Sequence, residues 1–150
     1  MADDPMRKRA AALYNQTWDL LEQPDRDAAG DRHLLLTACA SRVLWDSFGD
    51  AQTIAVGDWM VARALSAIGV GDLAVSFAQS AVDQSTEHDL PVWMQASALE
   101  GLARAHAAAG DFDARARYVA LAGDLVSKIP DAEDRDLIAE QLATVPEVPA

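Results

Sequence analysis

Gly69-Val70-Gly71-Asp72-Leu73-Ala74-Val75-Ser76-Phe77-Ala78-Gln79-Ser80-Ala81 puts a glycine stop directly before an apolar helix whose small residues Ala74, Ala78 and Ala81 fall on one face. The row Ile54, Val61, Leu65 and Ile68 leads into that stop at helical spacing. Glycine suits the left-handed conformation that ends a helix, and Asp72 is placed to cap the next one. The same order returns at Gly110-Asp111-Phe112. Aligning Gly69 with Gly110, 41 residues apart, superposes Phe77 on Tyr118, Ala78 on Val119 and Ala81 on Ala122. An apolar helix, a glycine stop and a second helix with close-set small residues make a hairpin that cannot bury its apolar face alone. Stacking of such hairpins is the expected architecture.

Outward from this segment the punctuation continues. Asp4-Pro5 opens a first helix over about 5–22, and Pro24 follows its end. A second helix is predicted over about 29–48, with Asp27 able to start it earlier; Gly49 is expected in the left-handed conformation and Asp50 as the next cap. Helices over 51–68 and 72–87 flank Gly69. Asp89-Leu90-Pro91 opens a fifth that stops at Gly110, a sixth runs to about 128, and Pro130-Asp131 introduces a seventh over about 132–143. Residues 144–150, with Pro146 and Pro149, read as a fraying tail. Alanine is about a fifth of the chain and no β-branched run alternates, so no strand is predicted. The expectation is one all-α domain over 1–150. Its parts are a first helical pair at 5–48, stacked antiparallel hairpins at 50–128 and a closing helix at 131–143.

Composition narrows function. The chain has 150 residues, 12 Lys and Arg against 24 Asp and Glu, a net charge of −12 and one cysteine. Its pI is about 4.4 and its mean hydropathy −0.03. A surface this acidic repels nucleic-acid phosphates and anionic membranes, so neither is expected as a partner. One cysteine makes no disulfide framework and no cysteine zinc site. The acidic opening and the lack of a long apolar run predict a cytoplasmic protein.

The pattern resembles the tetratricopeptide-repeat (TPR) superfamily. Gly69 and Ala74 fit its Gly-x-x-x-x-Ala spacing, Ala81 its next small position, and Gly110-Asp111-Phe112 with Ala122 a second copy in which Arg115 stands where alanine is usual. The chain is also similar, over roughly 8–130, to small bacterial TPR-like proteins of unassigned activity. That similarity runs through Ala40-Ser41-Arg42-Val43-Leu44-Trp45 and Gly57-Asp58-Trp59, with Arg63 and Gly69. Leu36, Cys39 and Leu44 stand where that group commonly has histidines, so no metal or acid–base role carries over. The resemblance implies a short TPR-like array and a candidate site, and no reaction.

Arg42 and Asp58 lie equally far from the turn at Gly49-Asp50, and so at the same height of an antiparallel hairpin. Two readings stand. The pair is a bridge that fixes hairpin register, or it lines a ligand pocket with Trp45 and Trp59. Arg63, one turn beyond Trp59, is placed to stack on the indole. Trp18, Trp45, Trp59 and Trp93 read as interhelical filling, with Trp45 and Trp59 as contact anchors if they share a concave face. His33, His88 and His106 are scattered and build no metal face; His106 belongs at a helix end or between hairpins. Cys39 reads as a small packed thiol. Glu100 with Arg104, and Asp113 with Arg117, read as ordinary surface pairs.

With no catalytic constellation, no cofactor fingerprint and no metal set, the first expectation is a non-enzymatic module that binds a partner protein or peptide in a concave groove. The site residues are Arg42, Trp45, Asp58, Trp59 and Arg63. A small-molecule or catalytic pocket around Arg42, Asp58 and Trp59 is the second reading. Self-association as a homodimer is the third.

Overall fold

The computed structural model describes residues 4–148. Seven helices occupy them, and no strand occurs among the described residues: α1 (Pro5–Glu22), α2 (Ala28–Phe48), α3 (Ala51–Ala67), α4 (Gly71–Glu87), α5 (Val92–Ala108), α6 (Phe112–Val126) and α7 (Ala132–Ala143). Five of them start on an aspartate whose side chain accepts from the first turn: Asp4, Asp27, Asp50, Asp111 and Asp131. Five of the 24 acidic residues thus serve as caps, each stabilising its helix by about 1 kcal/mol.

The breaks are of two kinds. Gly69 and Gly110 both have φ of 82°. Behind them Val70 N donates to Leu65 O and Asp111 N to His106 O, each at 2.9 Å, the closing bond of a left-handed helix stop. Asp89, with φ of 47°, makes the same stop after α4, where Leu90 N donates to Ser85 O at 2.9 Å. Gly49 differs from expectation. Its φ of −76° is extended, and the reason for glycine is space, since a Cβ there would lie 2.5 Å from Trp45 O. Asp72 is not a cap either. Helix α4 starts one residue earlier, with Gly71 pressed so close to α5 that a Cβ would fall 2.4 Å from the Ala109 backbone. Asp72 stands in the first turn, where a carboxylate suits the positive end of the helix dipole.

Short connections fold each helix back on its predecessor. Helices α1, α3, α5 and α7 also touch one another in sequence, α1 to α3, α3 to α5 and α5 to α7, whereas α2, α4 and α6 touch only their chain neighbours. The odd helices therefore form a continuous inner row and the even ones an outer, more open row. The core runs through the inner row: Met60, Leu65, Met94 and Leu102 are at most 1% exposed, each contributing about 2 kcal/mol by burial. A second cluster of Ala96, Val126, Ile129 and Ile138 closes the end at α6 and α7.

The tail also departs from expectation. Val145 is 2% exposed. Arg115 donates from Nε to Pro146 O at 2.9 Å and from Nη2 to Val145 O at 3.0 Å. The tail is docked through Pro146; Pro149 and Ala150 lie outside the described residues.

Candidate functional site

The predicted pair meets. Arg42 Nε donates to Asp58 Oδ1 at 2.6 Å, and Arg42 Nη1 donates to Asp46 one turn further along α2. Asp58, 3% exposed, accepts on Oδ2 from Ser80 Oγ at 2.8 Å and from Gln84 Nε2 at 2.7 Å, both on α4. Gly57 makes room, because a Cβ there would be 2.6 Å from Arg42 Cδ. Burial disfavours the Arg42 cation, but Asp46 and Asp58 outweigh it and push its pKa up. The node ties α2, α3 and α4 together with the carboxylate fully engaged. Neither Arg42 nor Asp58 lines either of the two large cavities described below.

The five candidate residues do not form one site. Trp45 packs between α1 and α2, edge-on to Phe48 at 5.4 Å between ring centroids, with the Arg7 guanidinium 5.3 Å from its ring centre. Arg7 Nη2 also donates to Phe48 O at 3.0 Å, closing the end of α2. Trp59 and Arg63 face the inner row. Arg63 lies 5.9 Å from the Trp59 ring centre, as the spacing predicts, and nearer, at 5.4 Å, to that of Trp18 on α1. Trp18 and Trp59 are tilted against each other at 5.7 Å.

At the middle of this inner face stands Glu100, wholly buried. Arg104 donates to its Oε1 from Nε at 2.9 Å and Nη2 at 2.7 Å, Arg63 Nη1 reaches the same oxygen at 3.4 Å, and Trp59 Nε1 donates to Oε2 at 3.3 Å. The surface pair expected from i,i+4 spacing is therefore a buried cluster, because α5 is covered by α3, α4, α6 and α7 at once. Gly101 lets Trp59 lie flat on α5; a Cβ there would sit 2.6 Å from Trp59 Cδ1. Arg104 continues outward, Nη2 donating to Gln141 O at 3.0 Å and Thr144 Oγ1 at 2.8 Å. The other expected surface pair is absent: Arg117 lies over Tyr118, 5.1 Å from its ring centre, and forms no bridge to Asp113 among the described residues. His106 stacks on Tyr118 at 5.4 Å, between α5 and α6. Burial raises the pKa of the Tyr14 phenol and of the half-buried Cys39 thiol, which leaves Cys39 a poor nucleophile.

Two cavities flank Trp18 and Glu22 on the inner side. One, of about 590 Å³, brings Tyr14 and Trp18 of α1 and Trp59 of α3 opposite Trp93 of α5 and Leu137 and Gln141 of α7. The other, of about 730 Å³, is lined by Arg63, Arg104 and Phe112, with the tail residues Pro146 and Val148 forming one wall. First and last helices thus face each other across a hollow floored by α3 and α5. No group of three or more His, Cys, Asp or Glu suited to a metal ion occurs among the described residues, and no helix among them is long and apolar enough to cross a membrane. Comparison with protein families, curated proteins and solved structures finds no match to this chain.

Proposed function

We propose that the chain is a TPR-like, non-enzymatic interaction module whose inner groove holds a short segment of a partner protein or peptide. The supporting observation is the way the chain treats its own tail. Thr144, Val145 and Pro146 lie against the inner side with two main-chain carbonyls taken by Arg115, the Thr144 hydroxyl taken by Arg104, and the Val145 side chain buried. Main-chain carbonyls taken by forked guanidinium groups, with one apolar side chain in a socket, are a means of holding a short peptide of varied sequence. Thr144 and Val145 continue the last turn of α7, Val145 N donating to Leu142 O at 3.2 Å, and Pro146 stiffens the segment and lowers the entropy lost on docking. Arg115, the departure from the repeat pattern, is the residue that makes this contact.

The test uses the tail as a free ligand. A chain ending at Ala143 is titrated with a synthetic peptide of residues 144–150, following tryptophan emission, since Trp18 and Trp59 border the groove. Saturable binding to the shortened chain, and binding about tenfold weaker to the full chain whose own tail competes, is the expected result. The full-length Arg115→Gln variant, which loosens the tail without shortening the chain, should also gain affinity for the peptide. A shortened chain that keeps its helical circular dichroism and ignores the peptide refutes the proposal.

A further inference from the structure

The Glu100 cluster is unbalanced. Two guanidinium groups, Arg63 and Arg104, share one carboxylate, leaving the cluster itself with one positive charge in a protein whose net charge is −12. The two arginines are not equally served. Arg104 makes four hydrogen bonds, to Glu100, Gln141 and Thr144. Arg63, with a side chain 17% exposed, makes a single bond of 3.4 Å. Its other N–H groups have no partner among the described residues. Burial, more than any neighbour, works against its charge, and Arg104 adds repulsion. No buried side-chain nitrogen among the described residues lacks a partner, so the unused Arg63 N–H groups are open to the cavity that Arg63 lines, where an anion can take them. Glu22, the carboxylate on the same cavity lining, forms no ion pair with either arginine.

We propose that Arg63 is the anchor of an anion site in the 730 Å³ cavity, and that its ligand is an organic monocarboxylate with an apolar body. A carboxylate matches the unused edge of the guanidinium fork, and a single negative charge brings the cluster to neutrality. The remaining lining contributes the apolar part, with Leu21, Ala67, Ala107 and Phe112 among the walls. Trp18 and Trp59, each within 6 Å of the Arg63 carbon and 5.7 Å from each other, back the guanidinium from the same side. The cavity has this volume with the tail docked and Pro146 and Val148 forming one wall, so the site belongs to the full-length chain in its tail-bound state.

The experiment titrates the full-length chain with octanoate and, separately, with octanol, reading tryptophan emission and the thermal midpoint. Octanoate is expected to bind saturably and raise the midpoint, with octanol about tenfold weaker or worse. Arg63→Met keeps most of the side-chain volume and leaves Glu100 and Arg104 as a balanced pair. It should hold or raise the midpoint of the free protein while weakening octanoate about tenfold or more. Arg63→Lys retains the charge without the fork and should weaken octanoate by less. Equal binding of octanoate and octanol, no saturable response to octanoate, or octanoate binding unchanged in both variants would each overturn the proposal. So would a wild type indifferent to octanoate alongside an Arg63→Met protein of lowered midpoint, the pattern of a purely structural arginine.

Discussion

Asp58 and Glu100 show what a buried carboxylate does in this chain. Asp58 takes its donors from α2 and α4, Glu100 from α3 and from Arg104 of its own helix, and each is worth more as a joint than as a charge. At Asp58 the donors come from Arg42, Ser80 and Gln84. Asp58→Asn replaces one acceptor oxygen by an NH2 group that must face a donor, and strips Arg42 of its buried counter-charge. A loss of about 3 kcal/mol is expected, read from the urea midpoint at unchanged slope. That joint was legible in the sequence, because 42 and 58 are equidistant from a turn, and geometry follows from counting residues. Glu100 was not. An acid and a base four apart on a helix have the same spacing whether the helix is at the surface or in the centre, so the pair alone carried no sign of burial. The sign lay around it, in Ala96, Ala98, Leu99, Gly101, Leu102, Ala103 and Ala105, which flank the narrow stripe of Ser97, Glu100 and Arg104 with apolar or small residues on both sides.

At the scale of the helix, the order and number of elements follow from glycine, proline and aspartate, and the boundaries agree with expectation to within a residue or two. Where expectation and structure part, the cause is close packing that the punctuation alone does not contain: Gly49 against the Trp45 carbonyl of its own helix and the Thr53 hydroxyl of the next, and Gly71 against the backbone of Ala109. The three left-handed stops offer a clean measurement. A Cβ at Gly69 or Gly110 would meet nothing within 4 Å, so Gly69→Ala and Gly110→Ala each test conformation alone and should cost about 1 kcal/mol. Asp89 already bears that strain, and Asp89→Gly should relieve it, raising stability by a few tenths of a kcal/mol. Thermal unfolding of the three variants, two falling and one rising, checks the assignment of all three stops.

For the whole molecule, a net charge of −12 on 150 residues works against compactness, and the buried ion clusters are too few to offset it. Raising sodium chloride to about 0.5 M, where screening acts within a few ångströms, should therefore raise the thermal midpoint. A protein held mainly by exposed ion pairs would respond in the opposite sense. The inner row of α1, α3, α5 and α7 was foreseen only as a stack of hairpins; that its ends face each other across a hollow depends on contacts between helices far apart in sequence, which local pattern does not encode. Helix α7 and the residues after it complete this arrangement. Arg104 has its acid, Glu100, four residues before it, but the Gln141 carbonyl and the Thr144 hydroxyl are made some forty residues later. During synthesis the six helices before α7 can therefore pack while the hollow is still unwalled, and it closes only once α7 and the residues after it have emerged.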